Sequence, residues 1–539
     1  MVRRRSIVVA CCLFSAVVAV AAADALAKDY FFTIGGGYDV TGNQLSLEKN
    51  VLFQQSVLAT KRPDKPAYDV LFADGNDPHP DLQCRDPKFE ESCPLARRIL
   101  AEVLGDADSA DLTYRNNEIP GVKGPAELGR VKEQLIDLAG QVKSGDRVII
   151  YVAAHGGRAR RSGGRRTNAP PRNPYNTSIY FWNNESITAS DFTALLDRFP
   201  RDAEVVLVMV QCYAGGFSHT IFEHADAAAG LSDSARCGFF AQMHDRPAAG
   251  CTPDANDADY EEYSSYFWGA LAGKSRGGKT VESADYDKNG EVSFAEAHAY
   301  AIIESDTIDV PVRTSGVFLH QYSLLGKPTK RADAASDAGD DSKAADIEYA
   351  DVRGPLAKLI ATSHPEQRAI LEQLPIKLGL GSSPTVEDVK RKLSQMDDKI
   401  DASDARASAA SRTRRNALKS VRQETYRIWP ELHAEYAPLA VELVTDRADE
   451  FVKQMQRLPE YEVLHDAKRT EESLIKASMQ LEREKARTER LLQACEYAAL
   501  AANLPRVAKP EIVKRYEQLL AMEEGTLADS SSSAASAGM

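Results

Sequence analysis

Past residue 23 the 539-residue chain has no apolar run long enough to cross a bilayer, and it has no surplus of positive charge. Sixty-six Lys and Arg stand against 79 Asp and Glu, a formal charge of −13, so a general footprint for nucleic acid or anionic membrane is missing. A nucleotide cofactor is excluded as well. Gly35-Gly36-Gly37 opens like a dinucleotide fingerprint, but Val40 stands where the third glycine or alanine is required. What remains, with 43% hydrophobic and 27% charged residues, is a chain that can bury a core and make more than one folding unit. Its expected partner is a protein, a peptide or a small molecule.

Arg3, Arg4 and Arg5 precede an apolar stretch from Ile7 to Ala23 and the small-residue site Ala25-Leu26-Ala27, so residues 1–27 read as a cleaved export signal. The alternative is an uncleaved anchor helix, for which the Ala-rich stretch is marginal. Val8-Val9-Ala10-Cys11 resembles a lipoprotein box, but too little apolar sequence precedes it. Signal removal takes Cys11 and Cys12 and leaves Cys84, Cys93, Cys212, Cys237, Cys251 and Cys495 in an oxidising compartment, periplasmic or secreted. The simplest bridges are the short-range pairs Cys84–Cys93 and Cys237–Cys251, one of three possible pairings of those four.

Residues 28–326 alternate short apolar runs with amphipathic segments, which predicts an α/β fold with a mainly parallel sheet flanked by helices. Strands are expected at Tyr30 to Ile34, Tyr68 to Phe72, Arg147 to Ala153, Glu204 to Val210 and Gly238 to Met243. Helices are expected at Leu47 to Leu58, Pro94 to Leu104, Ala126 to Val142, Ala189 to Phe199 and Phe294 to Ile303, with Ser190 and Ser293 as caps. Residues 327–346 hold a solvated linker, 347–526 an all-α domain and 527–539 a disordered tail. In the helical part Ala467, Leu474 and Leu481 fall seven apart, but the companion seam meets Glu471, Ser478 and Lys485. A packed bundle is therefore expected in place of a long zipper.

Two strands end in reactive side chains. Val148 to Ala154 runs into His155-Gly156-Gly157, and Val205 to Val210 runs into Gln211-Cys212-Tyr213-Ala214-Gly215-Gly216. Carboxyl ends of parallel strands are where α/β sheets place their crevices, and neighbouring strands would bring the two residues together. An imidazole beside a thiol favours the thiolate and can protonate a leaving amine. Glycines let backbone N–H groups, near Gly156 and Cys212, approach an oxyanion closely.

His155-Gly156 and Gln211-Cys212-Tyr213-Ala214-Gly215, each behind a hydrophobic strand and 57 residues apart, resemble the paired signatures of the caspase and legumain superfamily. The resemblance spans Lys28 to about Gly326 and omits the helical part. It implies a caspase-like sandwich, a dyad of Cys212 and His155 with Gly156 beside it, and hydrolysis of peptide bonds after one selected residue. Tyr213-Ala214 stands where caspases have other residues, so the likeness is to the superfamily and not to caspases proper.

A second motif fills a twelve-residue calcium loop: Asp285, Asp287, Asn289, Glu291 through its carbonyl, Ser293 and Glu296, with Gly290 at the turn. Gly277-Gly278-Lys279-Thr280 breaks any entering helix, so the loop stands alone and its Ca2+ is expected to be structural; the competing reading is an Asp/Asn turn capping the next helix. Arg158, Arg160, Arg161, Arg165, Arg166 and Arg172 sit in a polar loop after His155 that is either solvated or borders the substrate groove. Asp245 and Arg246 are candidates for selecting a basic or an acidic substrate residue, and the Cys237 to Cys251 segment is the candidate wall. The rivals to a cysteine endopeptidase are an inactive protease fold that serves as a binding scaffold, with the helical domain recruiting a protein partner, and a thiol hydrolase acting on a non-protein amide.

Overall fold

The computed structural model describes residues 27–106, 109–160, 172–253, 262–282, 284–326, 349–434 and 436–528. The expected signal up to residue 26, the linker at 327–346, Arg161, Arg165 and Arg166, and the tail beyond 528 lie outside the described residues.

Seven strands form the central sheet in the order Val312–Arg313, Arg236–Phe240, Glu204–Met209, Arg147–Ala154, Asp29–Gly36, Ala67–Phe72, Val122–Gly124. Every neighbouring pair is parallel except the first. All eight residues of Arg147–Ala154 are buried, which is why this strand reads as an unbroken apolar run. Its side chains alternate between two cores. Ile149 and Tyr151 pack with Val51, Phe267, Trp268 and Phe294, whereas Val148, Ile150 and Val152 pack with Val131, Leu135, Phe192 and Leu196. Helices Leu45–Lys61, Tyr263–Ala272 and Phe294–Glu304 thus cover one face, and Leu128–Gln141 and Ala189–Leu196 the other.

The expected strands and helices fall on these elements, with ends shifted by a few residues. Thr188, not Ser190, caps Ala189–Leu196, because its hydroxyl accepts the Asp191 N–H at 3.2 Å. Ser293 caps Phe294–Glu304 in a full capping box with Glu296.

Sequence order along the sheet reverses between Asp29–Gly36 and Arg147–Ala154, which are hydrogen-bonded neighbours. A crevice outside the carboxyl ends opens at such a switch point. Glu204–Met209 lies on the other side of Arg147–Ala154, so His155 and Cys212 leave adjacent strands as expected.

Residues 349–528 are helical and pack over two further cores, one shared with Phe294–Glu304 and one with the helix Leu95–Leu104. The 43-residue helix Val386–Ile428 pairs along the 49-residue helix Pro459–Val507. The seam that was expected to fail is the one that faces the partner: Glu471 is buried and takes Ser411 and Arg414, and Ser478 donates to Asp404 at 2.6 Å. The polar positions are satisfied across the pair, and Leu356–Ile360 and Pro365–Lys377 pack against one end of it while Pro438–Val444 and Ala448–Gln456 pack against the other. Helix Pro510–Glu523 then returns to the sheet, where Tyr516, Leu519 and Leu520 share the core of Phe239 and Phe318. Buried Glu523 accepts from the Thr314 hydroxyl and the Ser315 N–H, both at 2.8 Å, and pairs with Arg313. Leu527, placed by composition in a disordered tail, is buried in the same core.

Candidate active site

The His155 loop is shaped by what glycine permits. Gly156 and Gly157 pair with Ile179 and Ser178 in a small antiparallel ladder. A Cβ on Gly156 would collide with the Cys212 carbonyl oxygen and lie 2.8 Å from the Gln211 Cγ, so only glycine lets the two strand ends approach this closely. The Tyr180 N–H donates to the His155 carbonyl at 2.9 Å, which makes Gly156–Ile179 a non-hydrogen-bonded pair and leaves the Gly156 N–H outside the ladder.

Cys212 follows Glu204–Met209 by three residues. The chain reverses at Tyr213, whose φ of 61° is left-handed, an uncommon conformation for a bulky side chain. The Tyr213 N–H donates to the Arg246 carbonyl at 3.2 Å and its hydroxyl accepts from Arg158 at 3.0 Å. Arg158 also lies over the Tyr213 ring, so one arginine of the basic loop is fixed beside the turn that carries Cys212. Gln211, 1% exposed, has both amide atoms without a partner among the described residues.

His155 Nε2 lies 2.8 Å from the Gly42 carbonyl, to which it must donate, so in the neutral ring Nδ1 carries no proton. The Tyr38 ring meets the imidazole edge-on. Burial holds the His155 pKa below its usual value, against the pull of the Gly42 bond and of Asp39. The imidazole is therefore neutral near pH 7.

Nδ1 faces a residue that the sequence reading paired elsewhere. Cys251 Sγ sits 3.5 Å from His155 Nδ1, on the same strap that reaches Cys212, so it stands between the two expected dyad members. Cys212 also accepts the Ala248 N–H at 3.4 Å. Its pKa is lowered to about 7, chiefly because the Cys251 thiol donates to it, with burial opposing; Cys251 is pushed well above its usual value by the same contact. Neither expected disulfide is made: all six described cysteines are free thiols. Cys237 faces the core from within its strand, 1% exposed, whereas Cys251 lies past the strand end in the crevice.

Cys251 is carried by a strap, residues 246–253, that crosses the carboxyl ends of the strands. Pro247 accepts from Gln242, the Ala249 N–H donates to Asp309 at 2.7 Å, and Thr252 exchanges bonds with Ser46. The strap and the residues after Phe240 are the part of the Cys237 to Cys251 segment that walls the crevice. Arg246 is committed to Glu489 at 2.6 Å on the long helix, and half-exposed Asp245 lies 3.7 Å from Arg246. Neither supplies an unpaired charge for substrate selection.

Beyond the turn that carries Cys212 lies a cavity of about 350 Å³, lined by Tyr175, Gly215, His219, His244, His320 and Tyr497 among others. Tyr175 stacks on His219 at 3.8 Å, and burial with neighbouring His244 pushes His219 down to about 3. Apart from Gly215 these residues belong to no local motif, since five separate segments bring the six together.

In the second motif Asp285, Asp287 and Glu296 place carboxylate oxygens within 4.8 Å of one another. Asp285 also accepts the Asn289 and Gly290 N–H groups, and Glu296 Oε1 accepts those of Tyr286 and Asp287. Ser293 is engaged as the helix cap with Glu296, while Asn289 and Glu291 are exposed on the loop and the Asn289 Oδ1 accepts the Glu291 N–H. Three acidic ligands are thus gathered; the serine is used by the helix start. This donor set of hard oxygens suits a divalent cation.

Among the described residues no helix is long and apolar enough to cross a membrane. No family model matches the chain, and no curated protein matches it. Among solved structures, the protein GSU0716 from Geobacter sulfurreducens is similar over 50% of this chain and 88% of its own, at 9% identity and a TM-score of 0.28.

Proposed function

We propose that this chain is a cysteine endopeptidase on a caspase-like fold, with Cys212 as nucleophile and His155 as acid and base. The observation that carries the reading is the fixed tautomer of His155. With Nε2–H held by the Gly42 carbonyl, the bare Nδ1 faces the thiol pair, and the thiol poised near pH 7 is Cys212.

A peptide entering the crevice displaces Ala248 and Cys251 from Cys212. Cys212 gives its proton to His155 Nδ1, its thiolate attacks the peptide carbonyl carbon, and the N–H groups of Gly156 and Cys212 receive the oxyanion, each worth about 3 kcal/mol. His155 protonates the departing amine at its nitrogen, and then takes a proton from the water that hydrolyses the thioester. Asp285, Asp287 and Glu296 hold a structural Ca2+ at the start of Phe294–Glu304, a helix locked to the domain by the Tyr263 hydroxyl on His298 at 2.7 Å. The enzyme acts on exported substrates, and the paired long helices offer a surface for a protein partner.

One observation favours the inactive scaffold reading: the strap sits on Cys212, and His155 reaches Cys251 in its place. A peptide library with the full chain, with and without Ca2+ and beside Cys212→Ala, separates the two. Cleavage lost in Cys212→Ala supports the peptidase. No cleavage in any condition, with Cys212 inert to thiol probes, selects the scaffold.

A further inference from the structure

We propose that Cys212 and Cys251 form a reversible disulfide that locks the strap 246–253 over the crevice and switches the site off under oxidising conditions. The inference deepens the peptidase reading, since the thiol it locks is the proposed nucleophile.

Three observations support it. The strap that carries Cys251 already touches Cys212, the Ala248 N–H donating to its sulfur at 3.4 Å, so closing the bond moves the strap and not the sheet. Cys212 is a partly exposed thiol at a strand end and Cys251 an exposed thiol on a loop, whereas the other four described cysteines are buried. Finally, a bare imidazole nitrogen stands 3.5 Å from Cys251, the thiol that would otherwise hold its proton. A nucleophilic cysteine, a resolving cysteine and a base beside the resolving thiol suit thiol–disulfide exchange.

The oxidant is a low-molecular-weight disulfide. The Cys212 thiolate attacks one of its sulfurs, the reagent's S–S bond breaks and one thiolate leaves. Cys251 gives its proton to His155 Nδ1 and attacks the Cys212 sulfur, expelling the second thiolate. Two electrons pass from the cysteine pair to the reagent, whose two thiolates leave with the two protons.

The closed bond would pin the strap at both ends of the crevice. On one side Ala249 is held by Asp309, and on the other Thr252 is held by Ser46. Reduction frees Cys251 and lets a substrate lift the Ala248 backbone from Cys212.

The test uses the full chain and oxidised glutathione, followed by alkylation, digestion and mass spectrometry. The expected product is a Cys212–Cys251 cross-linked peptide, reversed by dithiothreitol, whereas Cys251→Ser accumulates a glutathione adduct on Cys212. Peptide hydrolysis by the oxidised wild type falls at least ~10-fold and returns on reduction. A wild type that stops at the glutathione adduct like the variant, or that hydrolyses peptides equally well when cross-linked, overturns the switch. If the cross-link forms but neither redox state cleaves any peptide, the disulfide stands and the peptidase reading fails.

Discussion

Arg490, on the longest helix, donates from Nε to the carbonyl oxygen of Asp309 at 2.6 Å, and the Asp309 carboxylate accepts the Ala249 N–H of the strap. The same guanidinium also donates to the carbonyls of Ile302, Ser305 and Thr307. Helix and crevice, 181 residues apart, are thus joined through one buried cation. Replacing it by an apolar residue orphans four buried carbonyls, so Arg490→Met is expected to cost on the order of 3 kcal/mol. Urea denaturation checks the stability, and the rate of thiol labelling at Cys212 checks the strap. An unchanged midpoint and rate would separate the helix from the site.

The depressed pKa of Cys212 sets a pH profile. Its labelling rate by iodoacetamide is expected to rise with a midpoint near the value of about 7. Removing the largest cause of the shift, in Cys251→Ala, moves the midpoint upward towards the ordinary thiol range. The thiolate fraction at pH 7, and with it the rate, then falls roughly ten-fold. A midpoint that stays in place would assign the shift to the Ala248 N–H instead.

Gly156→Ala drives a methyl group into the Cys212 carbonyl. The strand ends must part, which is expected to cost about 1–3 kcal/mol of stability. Misplacing the thiol against His155 lowers kcat/KM on the order of 100-fold. Circular dichroism melting and peptide kinetics measure both, and activity close to wild type would remove Gly156 from the site.

Calcium titration tests the loop. Binding at 100 times Kd stabilises the folded chain by about 2.7 kcal/mol, read as a rise in Tm. Asp285→Asn keeps an acceptor for one of the two N–H groups, of Asn289 and Gly290, that the carboxylate takes on separate oxygens, and loses the charge. It is expected to abolish the rise while leaving the metal-free Tm near that of the wild type. A metal-free Tm that drops steeply would make Asp285 a loop brace alone.

Five of the seven sheet strands were legible as apolar runs, the central ones buried on both faces; the edge strands Val122–Gly124 and Val312–Arg313 were not, being only three and two residues long. Cys212 and His155 were legible because glycines follow each strand end. Cys251 was not, since proximity in sequence suggests Cys237, and only the period of the Arg236–Phe240 strand turns Cys237 into the core. The seam of Glu471 and Ser478 was misleading for a related reason. Polar residues look unfit for burial until the helix that satisfies them, from Asp404 to Arg414, is laid alongside. The return of Pro510–Glu523 to the sheet carries no local signal, because its apolar face would suit any partner.

That return also orders events during synthesis. Arg147 is bound to Asp29 at the start of the first strand and also donates to the Ala528 carbonyl at 3.2 Å, and Thr526 bridges to Ser293. A ribosome that has delivered His155 and Cys212 must still deliver more than three hundred residues before the sheet face is covered. Until Pro510–Glu523 emerges, the apolar surface around Phe239 and Phe318 stays open to solvent. Its docking is therefore a late step, one that completes the core beneath the sheet long after the strands leading to His155 and Cys212 have been made.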